Sequence, residues 1–206
     1  MGNLSLLVSL TKRNFKLYFK DKTTFFMSLI TPLILLILFV LFLKNTYAET
    51  LESIVAPLNI NLDNKITNGF VSGWLVSSII STSAISISFC SATIIVNDKT
   101  SHSGKDIDVA PVAKWIKNLS YLLATFSTTM FIMCIMLVIG FGYIALMGWY
   151  ISFLEVLKII FTTMILTMFG ALLACIIFNF VNTQGGTSAI ATLVSSCYGF
   201  MSGAYM

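Results

Sequence analysis

The sequence is short of charge. Only 10% of its 206 residues are charged, against 57% that are apolar. A soluble domain carries about 25% charged residues, so this chain has too few to cover a water-facing surface. That excludes an ordinary soluble enzyme, a disordered tail and a nucleic-acid-binding module. Three prolines and 12 glycines exclude collagen-like and low-complexity sequence. His102 is the only histidine, and no Cys/His/Asp/Glu cluster has metal-ligand spacing, so neither a metal site nor a histidine-based triad has its ligands. The phosphate-binding pattern G-x-x-x-x-G-K-[ST] is missing. The one Gly-Lys pair, Gly104-Lys105, is followed by Asp106 and lacks the upstream glycine. A secretory signal pattern is missing too, because the first apolar run starts late and no small-residue cleavage site follows it. Cys90, Cys134, Cys175 and Cys197 all fall inside apolar runs and read as free buried thiols. The class that remains is a polytopic membrane protein.

What is present is a set of long uncharged stretches. Phe25–Leu43 is 19 residues without a charge, close to the ~20 needed to cross a ~30 Å hydrocarbon core. Ile66–Asn97, Asn118–Leu154 and Ile159–Met206 follow. The last two exceed one span, so turns are predicted at Gly148-Trp149-Tyr150 and at Asn182-Thr183-Gln184-Gly185-Gly186. Five spans result, at about 25–43, 68–96, 118–147, 152–180 and 187–206. All are helical, because lipid offers no partner to an open backbone, and no ~10-residue alternating barrel segments occur. The predicted fold is therefore all-α: an interfacial amphipathic helix over 1–24 and a transmembrane bundle over 25–206. Lys12, Arg13, Lys16, Lys20 and Lys22 precede span one, and Lys99, Lys105, Lys114 and Lys117 lie in the 97–117 loop. Those nine of the 12 basic residues put the N-terminus and the 97–117 loop in the cytoplasm and the 44–65 loop outside. The chain stops inside the apolar run GFMSGAYM, which leads us to expect a truncated product.

Two segments flanking the spans carry pattern of their own. In the leader, Leu4, Leu7, Val8, Phe15, Tyr18 and Phe19 recur at helical spacing, and Lys12, Lys16 and Lys20 share the opposite face. Such a helix lies in the membrane interface with its lysines toward anionic headgroups. It either only sets topology or also rides on a cytoplasmic partner. The 97–117 loop reads NDKTSHSGKDIDVAPVAKWIK. Its acidic residues oppose the positive bias of an inner loop, which fits a docking surface; a solvated loop of balanced charge is the other reading. Pro111 ends any helical turn there.

Within the spans, hydroxyls concentrate in span two, where Ser77, Ser81 and Ser88 share a face by spacing. They either line a substrate path or let helices pack closely, bonding across at about 0.6 kcal/mol each. Gly69-x-x-x-Gly73 and Gly199-x-x-x-Gly203 are helix-contact patterns. Glu155 and Lys158 lie within reach of each other on one helix face. No charged residue sits at mid-membrane, which weighs against an ion-coupled carrier.

The leader TKRNFKLYFKDKTTFF, the span SLITPLILLILFVLF, the loop NDKTSHSGKDIDVAPVAKWIKNLSYLL and the later NFVNTQGGTSAIATLVSSCYGFMSGAYM follow one another in an order that resembles the permease subunit of ABC type-2 transporters. The resemblance covers the whole chain, and the leader and the Asp-x-x-x-Ala-Pro-Val segment are its most specific parts. It implies six spans, of which about five are present here, and a coupling segment between spans two and three that docks on an ATPase subunit. By position that segment comprises Asp98, Lys99, Thr100, Ser101, Gly104, Lys105, Asp106 and Asp108. The stretch before the glycine is less acidic here than the family often has. The resemblance also implies ATP and Mg bound only in the partner subunit, a second permease copy, export as the direction and the plasma membrane as the location. The chain itself is then not an enzyme. The alternatives are an ion-coupled secondary transporter and a non-transport accessory membrane subunit.

Overall fold

A computed structural model describes residues 3–55, 64–101, 109, 113–148 and 151–202. Helix α1 spans Asn3–Lys20, α2 Lys22–Leu38, and α3 Lys44–Val55. A π-helical turn, Phe39–Leu43, joins α2 to α3 without a break. Then come α4 (Asn64–Thr100), α5 (Lys114–Gly148), α6 (Phe153–Phe180) and α7 (Gln184–Met201). The fold is all-α, and no strand occurs among the described residues. Four segments are long and apolar enough to cross a membrane: Lys22–Leu51, Thr67–Thr100, Lys114–Gly148 and Phe153–Phe180. The helix at Gln184–Met201 is 18 residues long and is not among those four.

Several boundaries differ from those expected. The first long helix continues through Lys44 to Val55, because the π turn carries the chain past the point where the charge was expected to end it. Helix α4 runs to Thr100, beyond the predicted end at 96. Thr100 Oγ1 donates to the carbonyl of Val96 at 3.0 Å, and the Ser101 N–H donates to Asn97 O at 3.0 Å, so the last turn stays closed. Helix α5 starts at Lys114, ahead of the predicted 118. It stops at Gly148, whose φ of 134° suits glycine. Ser152 then opens α6 with a capping box, in which the Ser152 N–H donates to Glu155 Oε2 at 2.8 Å.

Helix α4 is the axis of the molecule. In its most apolar stretch 72% of residues are buried, against 17–33% in the other three candidate spans. It packs against every other α-helix. Three apolar clusters line it. Val76, Ile80 and Ile87 meet Ile132 and Met133 of α5; Ile85 and Phe89 meet Ala174 and Phe178 of α6; Val71 and Leu75 meet Phe39 in the π turn. Phe89 and Phe178 stack edge to face at 5.4 Å. The hydroxyls of α4 are used mostly in packing. Ser91 and Thr128 share a hydrogen bond at 2.8 Å, and Ser81 shares one with Tyr198 of α7 at 3.2 Å.

Glycine sets two of the close approaches. A Cβ on Gly170 would stand 2.7 Å from Ser88 Oγ, and one on Gly140 would stand 2.7 Å from Val76 Cγ1. Of the predicted contact glycines, Gly69 and Gly199 are buried and Gly73 is half-buried, while Gly203 lies outside the described residues. The replacement Gly170→Ala is expected to lower stability by about 1–3 kcal/mol, the usual range for overpacking. Adding Ser88→Gly should recover part of the loss. Gly142→Ala, which meets nothing within 4 Å, is the neutral control. Thermal melts in detergent read all three; equal midpoints for Gly170→Ala and Gly142→Ala would remove the close-approach argument.

Candidate functional site

The last turn of α4 is where the helices are tied together. Asp98 is 6% exposed, and a buried carboxylate needs partners. Arg13 of α1 grips it with two bonds, Nη1 to Oδ2 at 2.8 Å and Nη2 to Oδ1 at 3.2 Å. Tyr121 of α5 donates its hydroxyl to Oδ2 at 2.7 Å. This two-pronged arginine–carboxylate geometry is the strong form of the contact. The hydrogen bond to Asp98 raises the guanidinium's already high pKa further. The Arg13 Nη1 also donates to Asn14 Oδ1 at 2.8 Å. Asn14, 2% exposed, reaches Ser120 of α5 at 3.5 Å.

The neighbouring residues extend the tie. Lys99 donates to the carbonyls of Phe178 (3.0 Å), Asn179 and Val181 (3.2 Å). An ammonium has three donors, and here they go to carbonyls at the end of α6, of which that of Phe178 also accepts the Val181 N–H at 3.3 Å. Asn97 Oδ1 accepts from Gln184 Nε2 of α7 at 3.4 Å. Three consecutive residues, Asn97, Asp98 and Lys99, thus bind α1, α5, α6 and α7. All these contacts lie at one end of the bundle.

The elbow between α1 and α2 is built beside this hub. Tyr18, 4% exposed, donates to Ser28 Oγ of α2 at 2.8 Å, and burial pushes its phenol up to about 12. Asp21 caps α2 by accepting from the Thr24 hydroxyl and, at 3.2 Å, from the Thr24 N–H. The Thr24 hydroxyl holds this carboxyl below the usual range. A cavity of about 380 Å³ opens between elbow and hub, with Asp21, Thr24, Thr93, Asn97, Asp98 and Gln184 on its wall.

The predicted site residues separate into distinct places. Asp98, Lys99 and Thr100 belong to α4 and not to a free loop, and the first two spend their charges on other helices. Ser101 closes the helix end, and its hydroxyl donates to Asp98 O at 3.4 Å. Gly104, Lys105, Asp106 and Asp108 lie outside the described residues. In α1, Lys12, Lys16 and Lys20 are exposed on one face, while Arg13 turns inward to Asp98. Leu4 and Val8 are exposed as well, on the same four-residue row that continues to Lys12, Lys16 and Lys20, so the expected opposition of an apolar and a lysine face does not extend to the first two turns. Ser77 and Ser81 face two cavities of about 340 and 520 Å³ in the half of the bundle away from the hub. Ser88 lines neither: it is fully buried and donates to Ala84 O at 2.7 Å. Glu155, read as a partner for Lys158, serves instead as the Ser152 cap.

Three members of the hub escape a sequence reading: Asn14, Tyr121 and Gln184. Asn14 carried a signal, since an asparagine among apolar helix positions asks for a buried partner. Among the described residues, no three or more His, Cys, Asp or Glu side chains converge in a way that holds a metal ion. Comparison with protein-family models, curated proteins and solved structures returns no match. The arrangement contains no nucleophile–base pair. It ties the last turn of α4 to four other helices.

Asp98→Asn is expected to destabilise the fold by about 1–3 kcal/mol, below the about 3–5 kcal/mol of a fully buried pair. The discount follows from Arg13, whose side chain is 31% exposed. Lys99→Gln should cost about 1 kcal/mol through loss of the α6 cap. Thermal unfolding in detergent measures both, and a wild-type midpoint for Asp98→Asn would dissolve the hub as a structural unit.

Proposed function

We propose that this chain is the membrane-spanning permease subunit of an ABC-type exporter, driven by ATP hydrolysed in a separate nucleotide-binding subunit. The observation that carries the reading is the joint at the root of the 101–113 segment. Asp98 stands one turn before that segment and is gripped by Arg13 and Tyr121, and Lys99 holds the end of α6. A partner that pushes on 101–113 then moves α1, α5 and α6 together, which is the mechanical demand on a subunit without its own P-loop.

In this reading the hub end faces the cytoplasm. Nine of 12 basic residues belong to that side, and α1 lies in the interface of the bilayer with Lys12, Lys16 and Lys20 toward headgroups. The membrane is the plasma membrane. Gly104, Lys105, Asp106 and Asp108 meet the ATPase, which carries ATP and Mg. Asp98 acts one step behind that contact, as a positioning residue. Ser77 and Ser81 line the path, and a second permease copy completes it.

Purification of the tagged chain in mild detergent, with mass spectrometry of what accompanies it, is expected to bring down a stoichiometric P-loop ATPase. Changing Asp106 and Asp108 to lysine should release it. The double variant Arg13→Met/Asp98→Met replaces the ion pair by apolar groups, a change that is often neutral or stabilising. It should keep the ATPase bound and lose the coupling of ATP hydrolysis to transport. A chain that purifies alone, with transport following an ion gradient, overturns the proposal in favour of a secondary carrier. Reporter fusions test the orientation separately: one after Lys105 should read cytoplasmic and one after Asn59 external, and the reverse pattern inverts the topology.

A further inference from the structure

The groove that α4, α5 and α6 form away from the hub is largely apolar, with the hydroxyl residues Ser77, Ser81, Thr162 and Thr163 and one charge among its lining. Its volume is about 340 Å³. Val76 and Ile80 of α4, Phe141 and Ile144 of α5, and Ile159 and Leu166 of α6 make its walls, and Lys158 stands on its rim. On α6 the lining extends from Lys158 to Leu166, which at 1.5 Å per residue is a length of about 12 Å. On α4 it extends from Gly73 to Ser81, the same length. The groove therefore follows the helix axes, as an extended hydrocarbon chain in a bilayer does.

Lys158 is the only charged residue among those lining the groove. No hydrogen bond or ion pair of its ammonium is found among the described residues, and the carboxylate nearest in sequence, Glu155, holds the Ser152 N–H. Its depth is also informative. The 28 residues of α6 measure about 42 Å against a hydrocarbon core of about 30 Å, so each end overhangs by roughly 6 Å. Lys158 lies five residues into α6, about 8 Å from its start. Its backbone thus lies about 2 Å inside the hydrocarbon boundary, from where the long side chain reaches outward to the headgroup phosphates. Lys44, which contacts Met147 Sδ at 3.5 Å one turn beyond Ile144, adds a second cation at this end. A lysine that merely extends to water covers apolar surface with its stem; this one borders a hollow.

We infer that the groove holds the headgroup-proximal half of one acyl chain of an anionic phospholipid, with the lipid phosphate on the Lys158 ammonium. The inference uses the membrane-spanning reading of α6 and is independent of any ATPase. Charge complementarity selects the headgroup, and the aligned apolar walls select the chain.

The test is lipid retention by the purified full chain, read by native mass spectrometry in detergent. The probes are dioleoyl phosphatidylglycerol and dioleoyl phosphatidylcholine, which share acyl chains and differ in charge. Phosphatidylglycerol should be retained about fivefold better, the weight of one near-surface lysine. Lys158→Gln should reduce it to the phosphatidylcholine level, and Lys158→Arg should preserve it. The triple change Lys12→Gln/Lys16→Gln/Lys20→Gln, at the other end of the molecule, should leave this preference in place. Ser77→Phe, which fills the groove beside Val76, should lower retention of both lipids. Equal retention of the two lipids by the wild-type chain, an undiminished preference in Lys158→Gln, or loss of the preference only in the triple variant each overturns the assignment. Binding of oleate without phosphatidylglycerol also overturns it, in favour of a fatty-acid site.

Discussion

The Arg13–Asp98 pair constrains everything around it. A carboxylate that is 6% exposed is held only by the sum of its contacts, because removal from water costs several kcal/mol per ion. Arg13 supplies charge and two bonds, and Tyr121 supplies a third. Each donor comes from a different helix, so no one of the helices can move away without leaving the carboxylate short. The pair therefore defines geometry more than it adds stability. It fixes α1 to the end of α4, and α1 then packs along the first half of α5, from Ser120 to Phe131, with Asn14 and Tyr18 inward and the lysines outward.

Helix α4 can serve as the axis because its side chains are small. Serines, threonines and alanines let neighbours approach, and their hydroxyls bond back to the helix or across to the next one. Ser88 fits against Gly170, and Ser91 bonds Thr128. Toward the other end Gly140 admits Val76 in the same way. Cavities open beside the helix at both ends, next to Asn97 and Asp98 and next to Ser77 and Ser81. What sets the hub end apart is its polar ties to four other helices and not closer packing.

The long helices were legible because lipid-compatible segments announce themselves as uncharged runs, and Phe25–Leu43 or Ile66–Asn97 needs little else. The ends of those helices were not. Asp98 and Lys99 follow the uncharged run and so read as loop, although the backbone continues to Thr100. Charge at a span boundary signals water only when the charge has no internal partner. The partner of Asp98 is 85 residues away and that of Lys99 is 79 away, beyond any periodic pattern. The lysine face of α1 was legible, because four-residue spacing is local. That Arg13 alone turns inward was not, since it follows from Asp98. The hydroxyl face of span two was half legible: Ser77 and Ser81 stand at cavities and Ser88 does not. The departure comes from Gly170, whose missing side chain closes the space around Ser88.

The distances in sequence that hide the hub also schedule its construction. Synthesis at ~5–20 residues per second separates Arg13 from Asp98 by roughly 4–17 s. Over that interval the guanidinium lacks the carboxylate that it grips in the finished fold. Asp98 arrives and collects Arg13, then Tyr121 follows within 23 residues. Lys99 obtains its carbonyls only after Val181 has been made. The partners of the hub are thus made in a fixed order along the chain, and the last of them, Gln184 at the start of α7, follows the end of α6. A nascent chain that stalls before Phe178 lacks all three carbonyl partners of Lys99.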